Sequence, residues 1–233
     1  MFKIKKIENK TVYYSDILPV EHFFTTRELE IKENIELISN YLSIDSSNLI
    51  KPQQVHGENI EIVDNRKEYP SCDALILKEK NKAIYLNFAD CTPIILYDEK
   101  QKIGAISHAG WRGTALGIAP KTVIKMKSNP KDIIALIGPC ISFKNFETSN
   151  EAIKKLKTTI KNQKDLFNFN YADLKGINKR QLEEIGVERF DVCPFCTIDD
   201  NDKFFSYRNE NKTLKRHSAL IKLWIMLFLY FFF

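Results

Sequence analysis

Long apolar runs are missing from most of this chain. The one exception is Leu223 to Phe233, LWIMLFLYFFF, whose 11 residues fall short of the roughly 20 needed to span a bilayer. Extending it back to Ala219 brings in Lys222 and still falls short. Three readings stay open for it: a final core strand with an apolar extension, a membrane-surface anchor, or an altered reading frame at the end of the gene. The opening Met-Phe-Lys-Ile-Lys-Lys has neither the apolar centre nor the small-residue cleavage site of a secretory signal, so a cytoplasmic protein is expected. Charge of one sign is also scarce. Lys plus Arg is 35 against 30 for Asp plus Glu, a net +5 that is too weak and dispersed to mark a nucleic-acid surface. There is no internal repeat, coiled-coil heptad or low-complexity linker, which removes solenoids and fibrous arrays. The 5 cysteines are an odd number without a secretion signal, which argues for free thiols and against a disulfide framework.

What remains is an ordinary globular composition, 44% hydrophobic and 28% charged. The expected organisation is one domain over residues 1–222, with 223–233 as an apolar tail. Lys3 to Tyr14 reads as two strands around Glu8-Asn9-Lys10, and His22 to Thr26 as a third. Ile31, Ile35, Ile38 and Leu42 have helical spacing. Ile60–Val63, Ala74–Leu77, Ala83–Phe88, Pro93–Tyr97, Ile103–Ile106 and Ile133–Ile137 read as short buried strands, with a polar hairpin loop over Asp98–Lys102. Helices are expected over Thr114–Lys127, Ser149–Lys161 and Asp173–Gly186, with Pro120 awkward inside the first. Asp173 suits an N-cap and Gly186 a C-terminal stop. Strands outnumber helices and include hairpins, so the expected class is α/β (α+β) with mixed sheets.

Two segments at strand ends carry the chemistry: Phe88-Ala-Asp-Cys91-Thr-Pro93 and Ser107-His108-Ala-Gly-Trp111-Arg112-Gly113. With His56, in Gln53-Gln-Val-His56-Gly57-Glu58, they offer two imidazoles and a thiolate. A catalytic zinc takes three such ligands and keeps one position open. The same Cys91 and His108 would also serve a metal-free Cys–His hydrolase as nucleophile and base, and only the zinc site needs His56. Asp90 and Glu58 are candidate proton carriers. Arg112, Arg27 and Arg208 are candidate anion contacts, and Trp111 could stack on a planar ligand.

Two further patterns compete. His56-Gly57-Glu58 with Cys193-Pro-Phe-Cys196 imitates the zinc site of nucleobase deaminases, but Val192 stands where a proline belongs and the His-x-Glu lies in a strand connection. Read as a thiol–disulfide motif, Cys193-Pro-Phe-Cys196 leads into Thr197-Ile-Asp-Asp-Asn-Asp202, an acidic turn that disfavours a thiolate.

Taken together the chain resembles the YfiH-type family, once described as multicopper polyphenol oxidases (laccases) and now as purine nucleoside phosphorylases. The matching segments include Gln54-Val-His56-Gly57, Asp73-Ala-Leu, Ala89-Asp-Cys91-Thr-Pro93, His108-Ala-Gly-Trp-Arg-Gly113 and Ile137-Gly-Pro-Cys-Ile141. Asp173-Leu-Lys-Gly-Ile-Asn178, Cys196-Thr197 and Phe204-Phe-Ser-Tyr-Arg208 follow in family order. The resemblance implies a layered α/β/β/α domain and a zinc held by His56, Cys91 and His108. It also implies phosphorolysis of adenosine, inosine, guanosine and methylthioadenosine, with deamination of adenosine. Purine nucleosides and phosphate are the implied partners, and Asn178 joins the substrate-binding residues on this ground. Copper fits less well, because 4 histidines and 3 methionines cannot furnish a conventional multicopper set. The chain departs from the family pattern after Arg27, where Glu-Leu-Glu-Ile-Lys replaces a Gly-rich loop. Asn209 stands where a second arginine is usual, and Lys215-Arg216 replaces Gly-Arg.

Overall fold

Strands that are apolar on both faces need cover on both faces. The computed structural model describes residues 1–225 and provides that cover with two stacked mixed sheets between helices. In chain order the elements are β1 (Phe2–Ile7), β2 (Lys10–Ser15), β3 (Val20–Thr25), α1 (Ile35–Leu42), β4 (Leu49–Ile50), β5 (Ile60–Ile62), β6 (Ala74–Leu77), β7 (Ala83–Phe88), β8 (Thr92–Asp98) and β9 (Ile103–Ala109). Then follow α2 (Trp111–Ala115), α3 (Ile118–Met126), β10 (Ile133–Ile137), α4 (Asn150–Lys157), the short pair β11 (Phe167–Asn168) and β12 (Tyr171–Ala172), α5 (Leu174–Glu184), β13 (Arg189–Val192) and β14 (His217–Ile225). One sheet runs β1-β2-β3-β14-β7-β4 and the other β13-β10-β8-β9-β6-β5.

Strand alternation sorts the side chains into layers. From β7, Ile84, Leu86 and Phe88 enter the core between the sheets, where Ile95, Ile106, Leu136 and Ile221 meet them. The alternate residues Ala83 and Tyr85, with Leu220, face outward to Ile31, Ile38 and Leu42 around α1. On the other sheet, Ile94, Leu96, Ala105 and Ala135 face outward to Val123 and Met126 of α3 and Leu182 of α5. The expected α/β/β/α layering is thus present. Each fully buried aliphatic side chain in these layers contributes roughly 1.5–3 kcal/mol of transfer free energy.

The helices depart from their expected bounds for local reasons. Ile31–Glu33 is a single 3-10 turn ahead of α1, so the apolar spacing there spans two elements. The helix expected over Thr114–Lys127 is broken at Gly117, whose φ of +70° is left-handed and inexpensive only for glycine. Pro120 therefore sits in the first turn of α3, where its missing N–H would have no partner in the helix. Ser149 caps α4 by accepting from the Ala152 N–H, whereas Asp173 precedes α5 without a side-chain cap bond.

β14 enters from the far end of the chain and inserts between β3 and β7. Leu223, the first residue of the expected tail, is buried in the core between the sheets, and Ile225 pairs opposite Val20. Residues 226–233, which hold most of that apolar run, lie outside the described residues.

Candidate active site and metal centre

Strand register brings the two signature segments together. In the antiparallel pair β8–β9, Thr92 lies opposite Ala109 and Pro93 opposite His108, so Cys91 and Gly110 meet at the same sheet end. A Cβ on Gly110 would stand 2.8 Å from the Cys91 Sγ and 3.5 Å from the His56 Cδ2. Only glycine leaves the thiol that space. Next along the sheet, β6 pairs with β9 through Ala74 and Ser107, which seats Asp73 beside His108.

Asp73 organises the centre. One carboxylate oxygen accepts from His108 Nδ1 at 2.8 Å and from the His56 N–H at 2.9 Å. The other accepts the Gly57 N–H at 2.8 Å and the Val55 N–H at 3.1 Å. Burial opposes ionisation of Asp73, but the His108 bond and these amides outweigh it and lower its pKa. With Nδ1 donating to Asp73, His108 presents Nε2 to the centre, the usual arrangement for a metal-binding imidazole. His56 is held in the left-handed region at φ +62°, a conformation costly for a non-glycine residue. The amide bonds to Asp73 keep it there.

One donor atom from each of His56, Cys91 and His108 lies within 4.8 Å of the others, and no other group of three or more such residues exists among the described residues. The two imidazole rings stand edge to face, 4.7 Å between centroids. Burial pushes the Cys91 thiol up, yet His108 and His56 override it and hold the thiol at about 6. Burial pulls His108 down, but Cys91 and Asp73 raise it to about 9. Without a metal the centre therefore favours a thiolate–imidazolium pair. The remaining histidines are committed elsewhere: His22 lies between Val20 and Ser15, and His217 is fully buried against Phe88 and Phe204.

The centre opens into a cavity of about 670 Å³. Asp90, Trp111, Arg112 and Arg208 line it, as their sequence positions suggested, together with Asn87 and Arg216. Arg112 lies over the Trp111 ring at 4.4 Å, and Arg208 over Phe146 at 5.2 Å. The Arg208 guanidinium donates to the carbonyls of Asn145 and Glu147, and that of Arg216 to those of Thr213 and Lys215. None of these three cavity arginines has a carboxylate within ion-pair distance among the described residues. All four arginines elsewhere do: Arg27 with Glu210, Arg66 with Asp64 and Glu61, Arg180 with Glu183, and Arg189 with Glu99.

Three of the sequence candidates lie away from the cavity lining. Arg27 makes a bidentate pair with Glu210 at 2.8 and 3.0 Å and stacks on Phe205. Glu58 is ion-paired with Lys121 on the surface. Asn178 is fully buried and donates to Thr114 Oγ1 and the Leu174 carbonyl, tying α5 to α2. Sequence reasoning passed over Asp73 and Asn87 as site residues. Asp73 had a signal, since it opens the matched Asp73-Ala-Leu. Asn87 had none: its backbone is clasped by Gln54, its Oδ1 accepts from Ser218 Oγ at 2.8 Å, and its Nδ2 has no partner among the described residues.

Cys193 and Cys196 take no part in the centre. Both are buried, burial pushes the Cys193 thiol up to about 11, and the Cys196 sulfur accepts from the Ser142 N–H and from Asn145.

Two stacked mixed sheets with a His–Cys–His centre at the mouth of one of them define a layered α+β protein with a candidate metal site. The family described as multi-copper polyphenol oxidoreductase laccase matches residues 22–224, and the chain belongs to that family. A protein of Campylobacter jejuni named purine nucleoside phosphorylase is 34% identical over 82% of this chain and 84% of its own length. One of the same name from Clostridium acetobutylicum is 29% identical over 85% and 86%. The crystal structure of a Bacillus licheniformis YfiH protein superposes with a TM-score of 0.85 at 25% identity, covering 96% of this chain and 99% of that one. No helix among the described residues is long and apolar enough to cross a membrane.

Proposed function

We propose that this protein is a zinc-dependent purine nucleoside phosphorylase. The observation that carries the reading is the cavity's three arginines, which have no carboxylate partner among the described residues, set beside the His–Cys–His centre. Carbonyl oxygens hold the guanidinium groups of Arg208 and Arg216 and the Trp111 ring supports that of Arg112, neutral contacts that leave the charge in place and pre-orient the free N–H groups, which suits a phosphate. Its relatives in Campylobacter jejuni and Clostridium acetobutylicum carry the phosphorylase name.

The donor set fits zinc: two imidazoles and one thiolate, with space at the fourth position supplied by the cavity. Copper in several sites does not fit, because His22 and His217 lie apart from the centre. His56, Cys91 and His108 would hold the metal, and Asp73 would orient His108. When bound, zinc supplies Lewis acidity to an oxygen or nitrogen of the ligand.

In phosphorolysis, Arg112, Arg208 and Arg216 place a phosphate oxygen in line with C1′ of the nucleoside. That oxygen bonds to C1′ as the bond from C1′ to the purine nitrogen breaks. The purine nitrogen takes up the proton that the attacking hydrogen phosphate gives up, and the pentose leaves as its 1-phosphate. Trp111 offers a face for the base, and the Asn87 amide offers hydrogen bonds to its edge or to the sugar. Adenosine, inosine, guanosine and methylthioadenosine are the proposed substrates, with deamination of adenosine as a second activity, in one cytoplasmic domain that begins at residue 1 and, with Leu223 in its core, extends past the expected boundary at residue 222.

A second reading has its own support. Asp73, His108 and Cys91 form an orienter–base–nucleophile series, and the depressed Cys91 thiol suits a metal-free Cys–His hydrolase. Metal analysis of the purified protein, followed by adenosine turnover with and without phosphate, separates the two. Adenine with ribose-1-phosphate is the expected product of phosphorolysis, and inosine formed without phosphate is that of deamination. Full activity in metal-free protein would sink the zinc proposal.

A further inference from the structure

Asp90 lines the cavity next to Cys91 and looks like a proton carrier, but its carboxylate is already engaged. Oδ2 accepts the backbone N–H of Arg208 at 2.8 Å, and Oδ1 accepts the hydroxyl of Thr197 at 2.6 Å. Thr197 is fully buried, and its own N–H donates to the Cys140 carbonyl. The Asp90 carbonyl accepts the Ile141 N–H at 3.1 Å. Three segments therefore converge on one residue: the start of β8, the loop after β10, and the stretch from Thr197 to Arg208. Asp90 holds φ +81°, a left-handed conformation that a non-glycine residue keeps only when its surroundings enforce it.

We infer that Asp90 is a positioning residue that fastens Arg208 to the metal-ligand strand end at Cys91, and that it transfers no proton in the reaction. The inference rests on the phosphorylase reading only for the identity of the anion. Arg208 has two anchors, its backbone N–H on Asp90 and its guanidinium on Asn145 and Glu147. Together they fix where its remaining N–H groups point.

Three variants of the full-length protein test this, each with metal content measured. Asp90→Asn keeps an acceptor for the Arg208 N–H, and its amide can donate to Thr197 Oγ, which accepts as readily as it donates. Asp90→Gly removes the carboxylate while tolerating the positive φ. Thr197→Val removes one donor and leaves Asp90 in place. We expect Asp90→Asn to keep its pH profile, a kcat within about 3-fold and a phosphate KM no higher than that of the parent. We expect Asp90→Gly to raise the phosphate KM by about 10-fold or more at full metal content, the loss of one charge-assisted bond, with Thr197→Val intermediate. If Asp90→Asn is as inactive as Asp90→Gly through kcat, and loses one limb of its pH profile, Asp90 moves a proton and the inference is overturned. Should the parent not phosphorolyse nucleosides, titration calorimetry with inorganic phosphate still decides the matter. Affinity lowered by Asp90→Gly and kept by Asp90→Asn upholds the positioning role. Equal affinity in parent and both variants overturns it.

Discussion

Cys91 and Cys193 are both free cysteines near sheet ends, and their surroundings give them opposite chemistry. Two imidazoles face Cys91 and bring its thiol down to about 6 in spite of burial. Burial dominates at Cys193, raising it to about 11, and at Cys140, raised to about 12. A thiol in such a pocket is a small apolar side chain with little nucleophilic or metal-binding capacity. Nothing in the Cys193-Pro-Phe-Cys196 spacing reveals this difference. It comes from which strands deliver histidines to the neighbourhood, and β9 delivers His108 to Cys91 alone.

The largest expected effect tests that contrast directly. Cys91→Ala or His108→Ala should remove bound metal and lower nucleoside turnover by at least about 1,000-fold, a loss on the scale of a whole metal contribution. Cys193→Ala and Cys196→Ala should leave metal content and kcat unchanged and cost about 1–2 kcal/mol of stability for the lost sulfur packing. Metal analysis with denaturant melts reads both. Metal loss in Cys193→Ala would erase the distinction between the two regions.

Asp73 makes the comparison sharper, because the Cys91 region owes its geometry to a residue outside the ligand set. Asp73→Asn keeps the size of the side chain but loses the charge that faces His108 and three backbone amides. Metal affinity should fall by about 10–100-fold, measured by chelator competition. An unchanged affinity would mean that the His56 loop holds its left-handed turn without Asp73.

Arginines repeat the pattern at lower stakes. Arg112→Ala should raise the phosphate KM by about 10-fold with little change in stability, since its side chain is exposed and has no carboxylate partner among the described residues. Arg27→Ala should leave that KM alone and cost about 1–2 kcal/mol, because it takes the bidentate cation from a partly buried Glu210 and leaves it the Ser206 N–H and the Asn201 amide. Steady-state kinetics and melting curves on the same two proteins compare them. An equal rise in KM for both would place Arg27 in the anion site.

What the sequence made legible follows from the range of each interaction. Two of the metal-ligand candidates, Cys91 and His108, stand at strand ends and the third, His56, in the loop between β4 and β5, and their residue types serve only a few chemistries, so they could be picked out before the strands were placed. The layering was legible too, because runs such as Ala83–Phe88 and Pro93–Tyr97 have apolar residues for both faces. Arg27 and Arg208 looked alike because each follows a strand end or an aromatic run, and nothing local announces that Glu210 neutralises one of them. Glu58 looked close to the chemistry because it is two residues from His56, but the positive φ at His56 turns the chain and sends Glu58 toward Lys121. Asn178 sits in a matched segment whose work is to hold α5 against α2. Pro120 is awkward inside a single helix but fits the first turn of α3, because the left-handed Gly117 separates α2 from α3.

Histidines allow a final, smaller test of the same contrast between regions. His22 is buried on β3, where its Nδ1 lies 2.7 Å from the Val20 carbonyl and its Nε2 accepts the Ser15 N–H at 3.0 Å. That pair of bonds fixes a neutral ring with the proton on Nδ1. Burial lowers its pKa to about 4, and the Lys5 ammonium facing it from β1 adds to the effect. His217 is lowered to about 3 by burial, with Arg216 working in the same direction and Glu210 against it. A histidine whose folded pKa lies below the usual 6.5 binds its proton first in the unfolded chain. Stability should therefore fall as pH drops from about 6.5 toward about 4, by up to about 3 kcal/mol for His22, before carboxylate protonation becomes dominant. His22→Gln should remove roughly half of this slope, leaving the share of His217. Denaturant melts at several pH values measure it, and an identical slope in parent and variant would show that His22 is not the proton acceptor. His108 is raised above its usual value where His22 is lowered, although both rings are buried, because one faces a thiolate and a carboxylate and the other a carbonyl and an ammonium. Burial alone does not decide the chemistry of either residue type in this fold; the charge that the neighbouring strand brings does.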